Sequence, residues 1–252
     1  MTYLGFHLVF LLPVIGVLAW LVAKGGRIPY PAPWLGTATL CCIAFVYTTP
    51  WDNYLVGAGI WTYDEGRVLE HFRLGYVPIE EYLFFVLQPI LTALFLFFFA
   101  QRIPRPAEEA LAPRGRRNGP RIAAGTTFAA IALLSAGGLS SPWEGGTYLC
   151  LILVWAAPVL SFQSFFGFDR IILYRRQWIP ALVGSTAYLW LVDGIAIDWE
   201  IWRITEATST GLHLFALPIE EALFFLATNL LVLFGLVLFQ DVLLRQNTGK
   251  TQ

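Results

Sequence analysis

The chain has 252 residues, 57% hydrophobic and 13% charged, with a formal net charge of −1. Soluble domains carry about 25% charged residues, so this composition excludes an ordinary soluble protein and points to one that crosses a membrane several times. Three cysteines (Cys41, Cys42, Cys150) and three histidines (His7, His71, His213) show no metal-ligand spacing, which argues against a zinc or haem site.

Seven apolar stretches are predicted to span the bilayer: 3–23, 34–49, 77–100, 122–141, 147–166, 178–192 and 212–239. The first has no Lys or Arg ahead of its apolar run and no small-residue cleavage site, so it reads as a retained span and not a signal peptide. The second and sixth are short and reach full length only with the semi-polar residues that follow. Between the third and fourth, 101–121 is rich in Pro, Gly and Arg and reads as a linker. The cysteines fall inside apolar runs and read as small packing residues. His71 and His213 stand in loops at unmatched positions and carry no expected role.

Loops alternate sides, and the basic residues do not divide evenly. Of 16 Lys and Arg, only Arg67, Arg73 and Arg203 fall on the side of the loops after spans two, four and six. Of 17 acids, only Glu108, Glu109, Asp169 and Asp241 fall on the opposite, basic side. Basic loops stay cytoplasmic. The expected topology has the N-terminus outside and the C-terminus inside, in the plasma membrane.

Two segments repeat. "VPIEEYLFF" at 77–85 and "LPIEEALFF" at 217–225 differ at two positions. Upstream of each runs Asp-x7-Ile-Trp, "DNYLVGAGIW" from Asp52 to Trp61 and "DGIAIDWEIW" from Asp193 to Trp202, and a Glu follows each Trp, Glu65 and Glu206. The offset is 141 residues at Asp and Trp and 140 at Pro. It maps spans one to three onto spans five to seven and leaves span four as a connector. The extra span restores the orientation of the second copy, so the copies are expected to be parallel repeats about an axis along the membrane normal. The expected fold is therefore an all-α membrane protein of seven transmembrane helices, two parallel three-helix repeats joined by an extra helix. Its parts are 1–100, a linker and connector helix at 101–141, and 142–252.

Pro at a helix start with acids in the first turn is ordinary capping chemistry. Three features exceed it: the motif occurs twice, each copy has a second acid (Asp52, Asp193), and the groups adjoin hydrocarbon, where ionisable residues are costly and usually functional. Glu81, Phe85, Gln88 and Thr92 fall on one helical stripe, and Glu221, Phe225 and Thr228 repeat it with Asn229 beside them. Glu81 and Glu221 are thus expected to face inward, with Glu80 and Glu220 supporting them. A carboxylic acid shielded from water holds its proton and can act as a general acid, with an ionised neighbour as base. Aromatic faces near the acids, Trp61, Trp202, Phe84, Phe85, Phe224 and Phe225, suit a cationic intermediate.

With their upstream Asp and Trp, the paired segments "PIEEYLFF" and "PIEEALFFLATN" resemble the small integral-membrane lycopene cyclases. In that family the two halves occur as separate c- and d-type subunits, fused in one chain, or joined to phytoene synthase. This chain resembles the fused form over nearly its whole length, the 101–121 linker excepted. The resemblance implies cyclisation of the ψ ends of lycopene to β rings, through γ- to β-carotene. An acid protonates C2, the C5=C6 alkene attacks the C1 cation, and a base removes the C6 proton. No net redox occurs and no cofactor is expected. The implied partners are lycopene and other carotenoids in the bilayer, with other carotenoid-biosynthesis enzymes as candidate protein partners and no nucleic acid. The expected catalytic set is Glu81, Glu221, Glu80, Glu220, Asp52 and Asp193, with Glu81 or Glu221 as acid and Asp52 and Asp193 as base or supports. The expected substrate contacts are Trp61, Trp202, Phe84, Phe85, Phe224, Phe225, Gln88, Thr228 and Asn229.

Other readings fit less well. A membrane prenyltransferase needs a DDxxD-like Mg²⁺ and diphosphate site that the chain lacks. A retinal protein needs a buried Lys, and the only lysines are Lys24 and Lys250 at boundaries. A transporter could also use intramembrane acids. Rings of ε type and C50 substrates stay open alternatives within the family.

Overall fold

A computed structural model describes residues 1–69, 71–106 and 118–248. Seven long helices dominate the described residues: α1 (Tyr3–Lys24), α2 (Pro33–Gly57), α3 (Ile79–Ala100), α4 (Asn118–Gly138), α5 (Thr147–Leu173), α6 (Arg175–Asp198) and α7 (Ile219–Thr248). All but α2 are long and apolar enough to cross a membrane. The 25 residues of α2 would span about 37 Å at the α-helical rise, but its Thr, Asn and Asp residues lower its apolar content. The chain is an all-α membrane protein. Residues 107–117, most of the Arg-rich linker, lie outside the described residues. The helix after the linker begins earlier than its apolar run suggests, at Asn118, because Arg121 pairs with Asp169 of α5 and is drawn into the packed bundle.

Two helices form the centre. α3 packs against α1, α2, α6 and α7, and α7 packs against α5, α6, α2 and α3, while α4 lies along α5. The helices opened by Pro-Ile-Glu-Glu are thus the most enclosed. Long helices also carry local breaks. α1 holds a π-helical turn at His7–Leu11, just ahead of Pro13, whose missing N–H and bulky ring disrupt the regular ladder. α5 kinks at Gly167.

The connections after α2 and α6 are short strands, which the apolar pattern did not predict. β1 (Trp61–Tyr63) pairs antiparallel with β4 (Trp202–Ile204), with Thr62 opposite Arg203. The ladder continues in both directions, with Asp64 N donating to Ile201 O at 3.3 Å and Thr205 N to Ile60 O at 3.0 Å. Two tight hairpins follow, β2 (Arg73–Leu74) with β3 (Val77–Pro78) and β5 (His213–Leu214) with β6 (Leu217–Pro218). Each leads directly into a Pro-Ile-Glu-Glu helix. Similar bonds also join the helices laterally. Tyr47 of α2 donates to the Trp155 carbonyl of α5 at 2.8 Å, and Tyr188 of α6 donates to the Phe10 carbonyl of α1 at 2.5 Å.

Candidate active site

Proline at the end of each second hairpin strand starts α3 and α7 with fixed backbone geometry. The paired glutamates then fall in the first turn, where they complement the helix dipole. Glu80 and Glu220 turn toward the connections. The Glu80 carboxylate accepts from Leu69 N at 2.9 Å, and that of Glu220 accepts from Thr210 N at 2.6 Å and Thr210 Oγ1 at 2.7 Å. They tie the β-connections to the helix starts.

Glu81 and Glu221 turn inward and are buried. Glu81 Oε2 accepts from the Tyr3 hydroxyl at 2.6 Å and from the Tyr63 hydroxyl at 3.0 Å. Glu221 Oε1 accepts from the Tyr148 hydroxyl at 2.5 Å. Asp52 and Asp193, near the ends of α2 and α6, are also buried. Trp202 Nε1 donates to Asp193 at 3.1 Å. Both oxygens of Asp52 and the Trp61 indole N–H have no hydrogen-bond partner among the described residues. The four inner carboxyls form one cluster. Asp52 interacts electrostatically with Glu81 and Glu221, and so does Asp193.

The sequence alone did not point to the three tyrosines that hold these glutamates, Tyr3, Tyr63 and Tyr148. A signal exists for two of them: Thr-Tyr-Leu stands at 2–4 and again at 147–149, at the starts of α1 and α5. Its offset is 145, not 141, so a search at one fixed offset passes over it. Tyr63 gave no such signal, because the residue 141 positions on is Ile204. His7 was likewise given no role. It is fully buried in the π-turn, its Nε2 lies 2.8 Å from the Glu80 carbonyl, and its ring contacts Tyr3.

Below the carboxyls lies a narrow apolar cavity of about 90 Å³, bounded by α2, α3, α5 and α7. Phe84, Phe85, Gln88, Phe224 and Thr228 line it, together with Tyr47, Thr48 and Trp155. Trp51, Trp155 and Phe224 stack on one another at its upper edge, with ring centroids 4.7 to 6.0 Å apart. Phe84 and Phe224 stand one helical turn from the inner glutamates, between them and the cavity. Trp61, Trp202, Phe225 and Asn229 are not part of this lining. The two tryptophans lie under the β1–β4 pair, Phe225 packs edge-on against Phe84, and Asn229 bridges helices. No group of His, Cys, Asp and Glu among the described residues is arranged to hold a metal ion.

The lycopene cyclase family profile matches residues 1–99 and 145–239. The chain belongs to the lycopene cyclase family. It is 36% identical over 210 residues to a lycopene beta-cyclase of Halobacterium salinarum, covering 83% of this chain and 84% of that one. It is 38% identical over 217 residues to the bifunctional lycopene cyclase/phytoene synthase of Podospora anserina, covering 83% of this chain and 36% of that protein. A bifunctional protein of the same description from Aspergillus niger is 37% identical over 203 residues, with 79% and 34% covered. No solved structure matches the chain. The matched segments of this family member contain Asp52, Glu81, Asp193 and Glu221 and all three tyrosines bonded to the glutamates.

Proposed function

We propose that this protein is a lycopene β-cyclase that converts the ψ ends of lycopene to β rings, through γ-carotene to β-carotene. One observation carries the reading: Glu81 and Glu221, each held by a buried tyrosine, meet in a single carboxyl cluster above an apolar cavity. A protonated carboxyl gives its proton to C2 of the end group. The C5=C6 alkene closes the ring on the C1 cation, and an ionised carboxyl takes the C6 proton. One proton enters and one leaves, so the reaction is an isomerisation. The faces of Phe84, Phe224 and Trp155 suit the passing cation, and burial keeps water from trapping it.

The catalytic set is Glu81, Glu221, Asp52 and Asp193, with Glu80 and Glu220 holding the connections in place. Phe84, Phe85, Phe224, Gln88 and Thr228 contact the carotenoid. The two halves, 1–100 and 142–252, are parallel repeats joined by the linker and α4. Support for the repeat comes from matched pairs: Tyr47 to Trp155 against Tyr188 to Phe10, and Asp64 to Ile201 against Thr205 to Ile60. The basic linker and tail face the cytoplasm, and the carboxyl cluster lies toward the outer face of the plasma membrane. This single cluster then serves one leaflet, so the two ends of lycopene react in turn. Carotenoids of the bilayer are the substrates, and enzymes that supply or consume them are candidate partners.

Expression in cells that accumulate lycopene tests this. Wild type is expected to yield β-carotene, with γ-carotene appearing first. Glu81→Gln and Glu221→Gln are each expected to cut conversion at least about 100-fold, the scale of a lost general acid or base, while the protein still inserts. Normal conversion in both variants would remove the site assignment.

A further inference from the structure

The two halves hold their glutamates differently. Glu221 accepts one tyrosine hydroxyl on Oε1, and its other oxygen, Oε2, is buried with no partner among the described residues. Glu81 accepts two tyrosine hydroxyls on a single oxygen. The additional donor is Tyr63, from the β1–β4 pair, and the equivalent place in β4 is held by Ile204, which has no hydroxyl. Tyr63 is itself fixed: its ring stacks on Tyr3 and on Trp61, each at 6.1 Å. Burial, with Asp52 and Glu81 nearby, pushes its phenol well above the usual value, so it stays a donor.

Two hydrogen bonds to one carboxylate oxygen favour the ionised form and fix its direction. Glu221, with a single tyrosine donor, is held in that form less strongly and keeps a proton more readily. Resting on the cyclase reading above, we infer that Tyr63 is a positioning residue that makes Glu81 the base and thereby determines which ring isomer forms. After ring closure the positive charge lies at C5. Loss of the C6 proton gives the β ring, loss of a C4 proton gives the ε ring, and loss of a proton from the C5 methyl gives an exocyclic alkene. In each case the C–H electron pair becomes the new double bond and the proton passes to the Glu81 carboxylate. Glu221 supplies the proton that starts the next cycle, and Asp52, which interacts with both glutamates, lies on the return route. The three outcomes differ only in where the base is aimed. A base pinned from two sides selects one of them.

The test uses the full chain in lycopene-accumulating cells, with the ring isomers separated by chromatography. Tyr63→Phe keeps the stacked ring and removes the hydroxyl. It is expected to raise the ratio of ε and exocyclic ends to β ends about tenfold, the scale of one hydrogen bond to a charged group. Glu81→Asp, which withdraws the carboxylate by one methylene, is expected to move the same ratio. Glu221→Asp is expected to lower total conversion and leave the ratio unchanged. If Tyr63→Phe fails to accumulate, Glu81→Asp decides. An unchanged ratio in an accumulating Tyr63→Phe, an unchanged ratio in Glu81→Asp where Tyr63→Phe does not accumulate, or a ratio that moves in Glu221→Asp, overturns the inference. A wild type that forms no rings at all overturns the cyclase reading on which it rests.

Discussion

Asn229 illustrates how a polar side chain is used inside an apolar bundle. It is fully buried on α7. Its Oδ1 accepts from Gln88 Nε2 and Thr92 Oγ1 of α3, each at 2.6 Å, and its Nδ2 lies 2.9 Å from Thr186 Oγ1 of α6. One amide therefore locks three helices at the depth of the cavity. The stripe of Gln88 and Thr92 was legible in the sequence because both lie on the face of Glu81. Their partners were not, since helical spacing fixes a face but not the neighbouring helix. Asn229→Leu removes the bridge, leaving Gln88 one longer bond to Thr92 at 3.3 Å. The expected result is a loss of about 1–3 kcal/mol, measured as a lower unfolding temperature in detergent. Gln88 and Thr228 are the polar side chains of the stripe that line the cavity.

At the level of elements, the connections repeat their backbone even where their residues differ. Gly59 and Glu200 both have positive φ, 70° and 53°, and both stand two residues before the tryptophan that begins β1 or β4. Gly75 and Phe215 form a second such pair in the hairpin turns, at 70° and 57°. An L-residue in this region costs about 1–2 kcal/mol, and glycine returns part of that gain through a freer unfolded chain. Glu200→Gly is expected to stabilise the protein by about 0.5–1 kcal/mol, read by thermal unfolding. The exposed Glu200–Arg203 ion pair that it removes contributes little. These connections were the least legible part of the fold. Strands of two or three residues carry no alternation to detect, and their pairing is set by the meeting of two distant turns. The long helices were legible because their length and apolarity are properties of one continuous stretch.

Taken whole, the molecule builds its centre from both halves. Tyr3, Asp52, Tyr63 and Glu81 come from one side of the linker, and Tyr148, Asp193, Trp202 and Glu221 from the other. The doubled Asp, Trp and Pro-Ile-Glu-Glu made the acid cluster legible at 141-residue spacing. Tyr3 and Tyr148 escaped because the loops between spans differ in length and shift the offset. The shared centre has a direct consequence for a chain cut between Pro106 and Asn118. Neither fragment alone is expected to convert lycopene. Co-expressed fragments are expected to restore conversion, measured by pigment extraction, because β1–β4 and the α3–α7 contact join them without the linker.

The β1–β4 clasp has one more effect. It lays peptide backbone across the carboxyls, with Ile60, Trp61, Ile201 and Trp202 buried beneath it. With that end shut, a hydrocarbon must arrive and depart edgewise, through the oily layer around the bundle. The quantity that feeds such a catalyst is pigment per area of lipid, so adding inert phospholipid slows it even when the molar amounts in the tube stay the same.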